Sequence, residues 1–254
     1  MKPKLSILFM GRKNTARQAL QWLATKREIV IRAVIIDIKK QELKKYHQLK
    51  NLKILSRAQA EKNLTKGTLK IDLGLSVLYR KKIRSPIINN CKYGVINFHP
   101  APLPDYKGNA GYNIAILKNL KKWAASAHYV DEKFDTGPII KKQIFKINPV
   151  NETALSLEKK TAKHILVLFR DMLSRLISKP QKLPAKANIG GIYVSRLQME
   201  AMKKVYSSDN IDKKIRAFWY PPYSGASISI KGKNYTLVNE FILKQIADRF
   251  SRSK

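Results

Sequence analysis

The stretch LSILFMGRKNTARQALQWLATK, residues 5–26, joins an unbroken apolar run to a segment with helical spacing. EIVIRAVIID, residues 28–37, then returns at once to an apolar run. A short apolar run without alternation is what a strand covered on both faces requires, and Gly11 closes the first one. The helix that follows is expected to start at a capping Asn14 or Thr15. Working outward, QELKKYHQLKN (41–51) reads as a helix, LKIL (52–55) as a short third strand, DLGLSVLY (72–79) as a fourth and YGVINFH (93–99) as a fifth. NAGYNIAILKNL (109–120) is helical again, and WAASAHYVD (123–131) and GPIIKKQIFKI (137–147) are further strands. NETALSLEKKTAKHILVLFRDMLSRLISK (151–179) is a long helix, opened by an asparagine cap with acids in its early turns. Strands alternating with helices imply the α/β class, a mostly parallel sheet with helices on both faces. PQKLPAKANIGG (180–191) is punctuated by proline and glycine and reads as a boundary. Residues 1–180 are therefore expected to form the main domain and 181–254 a small C-terminal region. That region carries a β-hairpin, ASISIKGKNYTLVN (226–239), turning at Lys231-Gly232-Lys233.

Composition narrows the class. Hydrophobic residues make up 44% of the 254 positions, which suits a globular chain and argues against disorder. No apolar run reaches the length of a membrane span, and the apolar stretch of MKPKLSILFMGRKN is too short for a signal sequence. The single cysteine, Cys91, excludes an internal disulfide and a multi-cysteine zinc site, and a small buried role suits it. The cytoplasm is the expected location, and no metal is expected. Lys and Arg total 51 against 17 acids, a formal net charge of +34. Such an excess can mark a nucleic-acid or anionic partner, and it can equally be solvated helix surface. No GxGxxG and no GxxxxGK motif is present, which argues against a dinucleotide-dependent redox enzyme and an NTPase.

The chemistry-bearing stretch is YGVINFHPAPLPDYKG, residues 93–108. Its prolines cannot continue a central strand, so the chain leaves the sheet there and is held in few conformations. Alternation along the strand points Asn97 and His99 to one face and Phe98 to the other. An amide and an imidazole thus share one spot at a strand's carboxyl end, where such sheets place their sites. Of the other histidines, His128 sits in an apolar strand and reads as a hydrogen-bonded structural residue, while His47 and His164 read as surface.

Asn97-Phe98-His99-Pro100, with Leu103-Pro104 and Tyr106-Lys107-Gly108 behind it, resembles the formyltransferases that use 10-formyltetrahydrofolate. HYVDEKFDTGPII, residues 128–140, resembles their second signature, a loop with an aspartate before Thr-Gly-Pro. Ala101 stands where serine is usual and Lys107 where arginine is usual. The resemblance covers about residues 4–175 and implies a Rossmann-like fold and a catalytic triad of Asn97, His99 and Asp135. Asp105 and Asp131 compete for the acidic role, and the Asp-x-Gly spacing of the family loop favours Asp135. An amine attacking the formyl carbon creates an oxyanion, to which Asn97 and His99 can each donate an N–H; losing one such donor costs about 2.7–4 kcal/mol. Asp135 can orient His99 or relay protons through water. The family also implies a folate site with Tyr79, Lys81 and Ile83 on one side and Asp131, Glu132 and Phe134 on the other.

GGIYVSR (190–196) and KIRAFWYPPYSGASISI (214–230) resemble the small C-terminal region of nucleotide-linked sugar N-formyltransferases, which serves substrate binding or dimerisation. The expected substrate is a nucleotide-linked amino sugar, dTDP-4-amino-4,6-dideoxyglucose first, used in O-antigen and other surface polysaccharide. Trp219, Tyr220 and Tyr223 would form a ledge for thymine, at roughly 1–3 kcal/mol per stacked base. The same aromatics equally suit a small core or a dimer interface. Arg196 and Arg216, with Arg12 and Lys13, would neutralise a diphosphate, and Gly11 would let the backbone approach it. A homodimer is expected. The alternatives are methionyl-tRNA formylation, toward which the charge pulls, and a non-catalytic basic nucleic-acid-binding relative, against which the retained Asn97, His99 and Asp135 argue.

Overall fold

The computed structural model describes residues 4–36, 49 and 51–251. The helix expected over 41–51 falls outside them except for Leu49 and Asn51, and His47 falls outside as well.

The first apolar run forms β1 (Leu5–Gly11), buried at every position, and the second forms β2 (Ile29–Ile36), parallel to it. The helix between them, Lys13–Ala24, starts directly after Arg12, with no side-chain cap. The Asn14 cap expected from sequence is not made, because the chain turns at Gly11 and leaves Asn14 inside the first turn; its Oδ1 accepts from the Arg17 guanidinium instead. LKIL yields only an isolated bridge of Ile54 with Val34, since Ser56 immediately caps the helix Arg57–Thr65 through a capping box with Gln59. β3 (Leu73–Val77) and β4 (Val95–His99) continue the sheet in parallel on the far side of β1. β5 (Tyr106–Gly108) lies outside the sheet, β6 (Lys122–Tyr129) joins it antiparallel to β4, and β7 (Ile139–Lys146) ends it. The order β2-β1-β3-β4-β6-β7 reverses direction at β1, which opens a crevice at the carboxyl ends of β1 and β3.

Alternation along these strands loads two cores. Ile7, Phe9, Leu75, Ile96 and Phe98 face the helices Lys13–Ala24 and Ala154–Ser178, where the Phe98 and Phe169 rings lie 5.0 Å apart. Burying one such phenylalanine contributes roughly 1.5–3 kcal/mol. Leu8, Met10 and Val95 face the other way, onto Ala60, Leu64, Ile87 and Cys91. Burial there pushes the Cys91 thiol up to about 12, so it acts as a small apolar side chain. The long helix is capped by Thr153, whose Oγ1 accepts from the Ser156 N–H while the Thr153 N–H donates to Ser156 Oγ. Asn151, the cap expected from sequence, is exposed two residues earlier.

The chain divides into two compact units that are not consecutive in sequence. One takes the described residues of Met1–Lys107, Ala124–Gln143 and Ala162–Gly191, and holds both cores above. The other takes those of Gly108–Trp123, Ile144–Thr161 and Ile192–Lys254. Its own core joins Ile116 to Ile215, Ala217, Phe218, Ala226 and Ile242. It contains the short strand β8 (Ile192–Val194) and the expected hairpin, β9 (Ser227–Ile230) and β10 (Lys233–Thr236). Lys231 and Gly232 both have positive φ, 47° and 74°, as a tight two-residue hairpin turn requires. Among the described residues no helix is long and apolar enough to cross a membrane.

Candidate active site

Register aligns the polar residues before any loop is considered. Ser76 on β3 pairs with Asn97 on β4, and Asn97 pairs with His128 on β6. The three therefore form one row across neighbouring strands, on the face opposite Phe98. Ser76 donates its hydroxyl hydrogen to Asn97 Oδ1 at 2.8 Å, which fixes the amide with its NH₂ turned toward His128. Asn97 Nδ2 lies 3.0 Å from His128 Nε2. His128 Nδ1 lies 2.7 Å from the Tyr129 carbonyl, an acceptor only, so Nδ1 donates there and Nε2 is left to accept from the amide.

Asp135 arrives from the loop between β6 and β7. Its Oδ1 accepts from Asn97 Nδ2 at 3.4 Å and lies 3.3 Å from His99 Nδ1 and 3.5 Å from His128 Nε2. Burial alone would raise this carboxyl, but the charge and hydrogen bond of His99 hold it well below the ordinary 3.8. His99 Nε2 lies 2.9 Å from the Tyr106 carbonyl, so it donates there while Nδ1 faces the carboxylate. Burial lowers the imidazole, yet the Asp135 charge and hydrogen bond and the Tyr106 carbonyl outweigh it and raise His99 above 6.5. His99 is buried, and both of its nitrogens face acceptors within the chain. The expectation that His99 donates an N–H to the reacting oxygen stands beside this geometry, in which its Nδ1 faces Asp135.

The loop geometry is closely determined. Leu78, where the chain leaves β3, and Asp135 both have positive φ, 54° and 57°. Each such non-glycine residue costs about 1–3 kcal/mol and persists only where the surroundings over-determine it. Asp131 Oδ1 accepts from Thr136 Oγ1 at 2.6 Å and from the Lys133 N–H at 3.2 Å, so this carboxylate folds the loop, while Asp105 is exposed. Ser126, paired with His99, donates to the Ala101 carbonyl and accepts the Leu103 N–H, which ties down the proline-rich segment. Gly137 packs against the end of β6 so closely that a Cβ would stand 1.9 Å from the Tyr129 carbonyl oxygen. Gly137→Ala is accordingly expected to cost about 2–3 kcal/mol, a fall in Tm of roughly 5–10 °C by thermal melt. A melt within two degrees of the parent would show that the loop does not need this close approach.

Asn97, His128 and Asp135 line a cleft of about 370 Å³, a volume that includes open solvent. Tyr79, Ile83, Val130 and Phe134 supply apolar walls, and Lys81, Lys82, Asp131 and Lys133 supply charge. Five of the six residues expected around a folate therefore line the cleft. Glu132 does not; its carboxylate accepts from Ser85 Oγ.

A family model described as formyl transferase matches residues 21–169. The chain belongs to this formyl transferase family. Over 167 residues it is 29% identical to a GDP-perosamine N-formyltransferase from Brucella melitensis, a match covering 65% of this chain and 63% of that protein. The chain thus spans less than two thirds of that curated relative. A 4-N formyltransferase from Francisella tularensis shares the fold, with a TM-score of 0.77 at 20% identity over 93% of this chain and 97% of that one. An N-formyltransferase from Helicobacter canadensis, solved in complex with folinic acid and dTDP-3-aminofucose, is 25% identical, with a TM-score of 0.70 over 93% of this chain and 89% of that one.

Two polar residues of this formyl transferase's cleft escape a reading of the sequence. His128 was expected to be structural, and Ser76 was unmarked; only the β4–β6 and β3–β4 registers bring them to Asn97. His164 is half-buried on its helix. The residues expected around a nucleotide are spread over both units. Gly11 serves packing, since a Cβ there would stand 2.6 Å from Ala16 Cβ and 2.9 Å from the Phe9 ring. Arg12 and Lys13 follow it half-buried, and the Arg12 N–H donates to the Val77 carbonyl. In the other unit Arg196 is exposed, whereas the Arg216 guanidinium donates to the Pro149 and Glu152 carbonyls. Trp219 packs on the Ile215–Phe218 core, and the Tyr220 hydroxyl donates to Glu158. Tyr223 is exposed and stacks on Tyr220 at a ring distance of 5.7 Å.

Proposed function

We propose that the chain transfers a formyl group from 10-formyltetrahydrofolate to the amine of a nucleotide-linked amino sugar. The observation that carries this is the convergence of Asn97, His128 and His99 on one Asp135 oxygen at the floor of an apolar-walled cleft. The cleft fits the donor: flat apolar walls suit a pterin, and Lys81, Lys82 and Lys133 suit the carboxylates of its glutamate tail. The donor supplies a formyl carbonyl carried on nitrogen. Asn97 Nδ2, oriented by Ser76, gives up its 3.4 Å contact with Asp135 to donate to that carbonyl oxygen as it gains charge, and His99 is the second expected donor to it. His99 keeps Asp135 charged and in place. Asp135 is too weak a base to take the amine proton readily, so His128 Nε2 is the better acceptor. As the bond from the formyl carbon to the folate nitrogen breaks, a proton passes to that departing nitrogen.

The sugar-nucleotide substrate draws support from the Brucella relative and from the ligands of the Helicobacter complex. dTDP-4-amino-4,6-dideoxyglucose, made for O-antigen or another surface polysaccharide, remains the first candidate, with Tyr223 and Arg196 as exposed contacts. We retain residues 1–180 as catalytic and 181–254 as the substrate-binding or dimerisation region of a cytoplasmic homodimer. Incubation with 10-formyltetrahydrofolate and a panel of dTDP-, GDP- and UDP-linked amino sugars should give one product heavier by a formyl group. The formal charge of +34 makes initiator methionyl-tRNA the necessary second acceptor in that panel. Formylation of the tRNA alone, with binding that weakens steeply as salt rises, would replace the sugar reading.

A further inference from the structure

We propose that Asn188 is the positioning residue that holds Asp135 against the two histidines, and that Lys107 holds Asn188 in turn. The inference rests on the formyl-transfer reading for its effect on turnover and stands on geometry for the rest. Asn188 Nδ2 donates to the Asp135 carbonyl and to the Gly137 carbonyl, each at 2.9 Å. Both hydrogens of one amide are thereby spent on the two carbonyls that flank Thr136. Carbonyls only accept, so the amide orientation is fixed, and its Oδ1 is left buried with no hydrogen-bond donor among the described residues. A buried, unsatisfied acceptor is costly, and here it accompanies two bonds to the very residue whose backbone is left-handed, with φ 57°.

The clamp closes through Lys107. Its ammonium, on a residue only 8% exposed, donates to the Gly190 carbonyl at 2.6 Å and to the Asn188 carbonyl at 3.4 Å. The preceding residue, Tyr106, offers the carbonyl that accepts His99 Nε2–H. Two adjacent residues thus grip both partners of the His99–Asp135 pair, one directly and the other through Asn188. A lysine suits this task, because an ammonium directs its hydrogens to separate carbonyls where a planar fork is not needed. Precision matters at Asp135 because its Oδ1 contacts, 3.3–3.5 Å, are already long.

Asn188→Ala, and the isosteric Asn188→Asp that keeps the volume but deletes both donors, test the clamp. Turnover is expected to fall about 10–100-fold, with KM for both substrates within about threefold. Titration of the histidine ring protons by NMR in ligand-free protein supplies a readout that a merely structural role would not move. The groups facing His99 are Asp135, the His128 ring and the Tyr106 carbonyl, and those facing Asp135 are His99, His128 and Asn97. Freed from Asp135, His99 should titrate lower than in the parent, while His164 serves as the unmoved reference. Lys107→Met should shift His99 in the same direction by less. An unchanged His99 midpoint in whichever Asn188 variant remains folded overturns the proposal. If the parent itself fails to formylate any acceptor, the functional reading falls, and the titration still decides the clamp.

Discussion

Asp135→Asn is expected to cut kcat by about three to four orders of magnitude while the chain remains folded, the usual cost of turning the carboxylate behind a catalytic histidine into an amide. Oδ1 of this residue faces three nitrogens, from Asn97, His99 and His128. An amide in its place loses the negative charge that faces His99 Nδ1. Wild-type stability should show the pair directly. The depressed Asp135 contributes stability that is present above its unfolded value near 3.8 and lost as pH falls through its lower folded value. The raised His99 contributes stability that is present below 6.5 and lost as pH rises through its higher folded value. The Tm difference between parent and variant should therefore be largest between these two pH values and narrow on either side. A variant with kcat within tenfold of the parent would remove Asp135 from the chemistry.

Asn97→Ala is expected to lower kcat about 10²–10³-fold, as when a single donor to a developing oxyanion is removed. KM for the folate should change by much less, because the apolar walls from Tyr79, Ile83 and Phe134 remain. Ser76→Ala should reproduce part of the loss, since it leaves the amide in place but frees it to flip. The measurement is steady-state turnover with both substrates varied. A rise in KM at unchanged kcat would make Asn97 a binding residue and remove it from the oxyanion role.

Several features of this site were legible in the residues themselves. The alternation Asn97-Phe98-His99 put the amide and imidazole on one face and the phenyl ring in the core, where Phe169 meets it. The prolines after His99 ended the strand, and the Asp-x-Gly spacing singled out Asp135 over Asp131, whose carboxylate proves to fold the loop. The caps were less legible. Asn14 and Asn151 had the right chemistry, but the helix starts were set by where β1 turned at Gly11 and by the reciprocal bonds of Thr153 and Ser156. The contacts of Arg216 and Tyr220 with Pro149, Glu152 and Glu158 were equally unmarked in the sequence.

From the residues alone came the strand–helix alternation, hence the parallel sheet, and the two signatures that mark the family. Both depend on neighbours within a few positions, where backbone preference and side-chain periodicity act directly. Tertiary structure alone decided that His128 stands beside Asn97, that His99 is buried between Asp135 and the Tyr106 carbonyl, and that Asn188 reaches back to Asp135. Those contacts join segments far apart in the chain. Their register follows from how whole strands and loops pack, which no local pattern encodes.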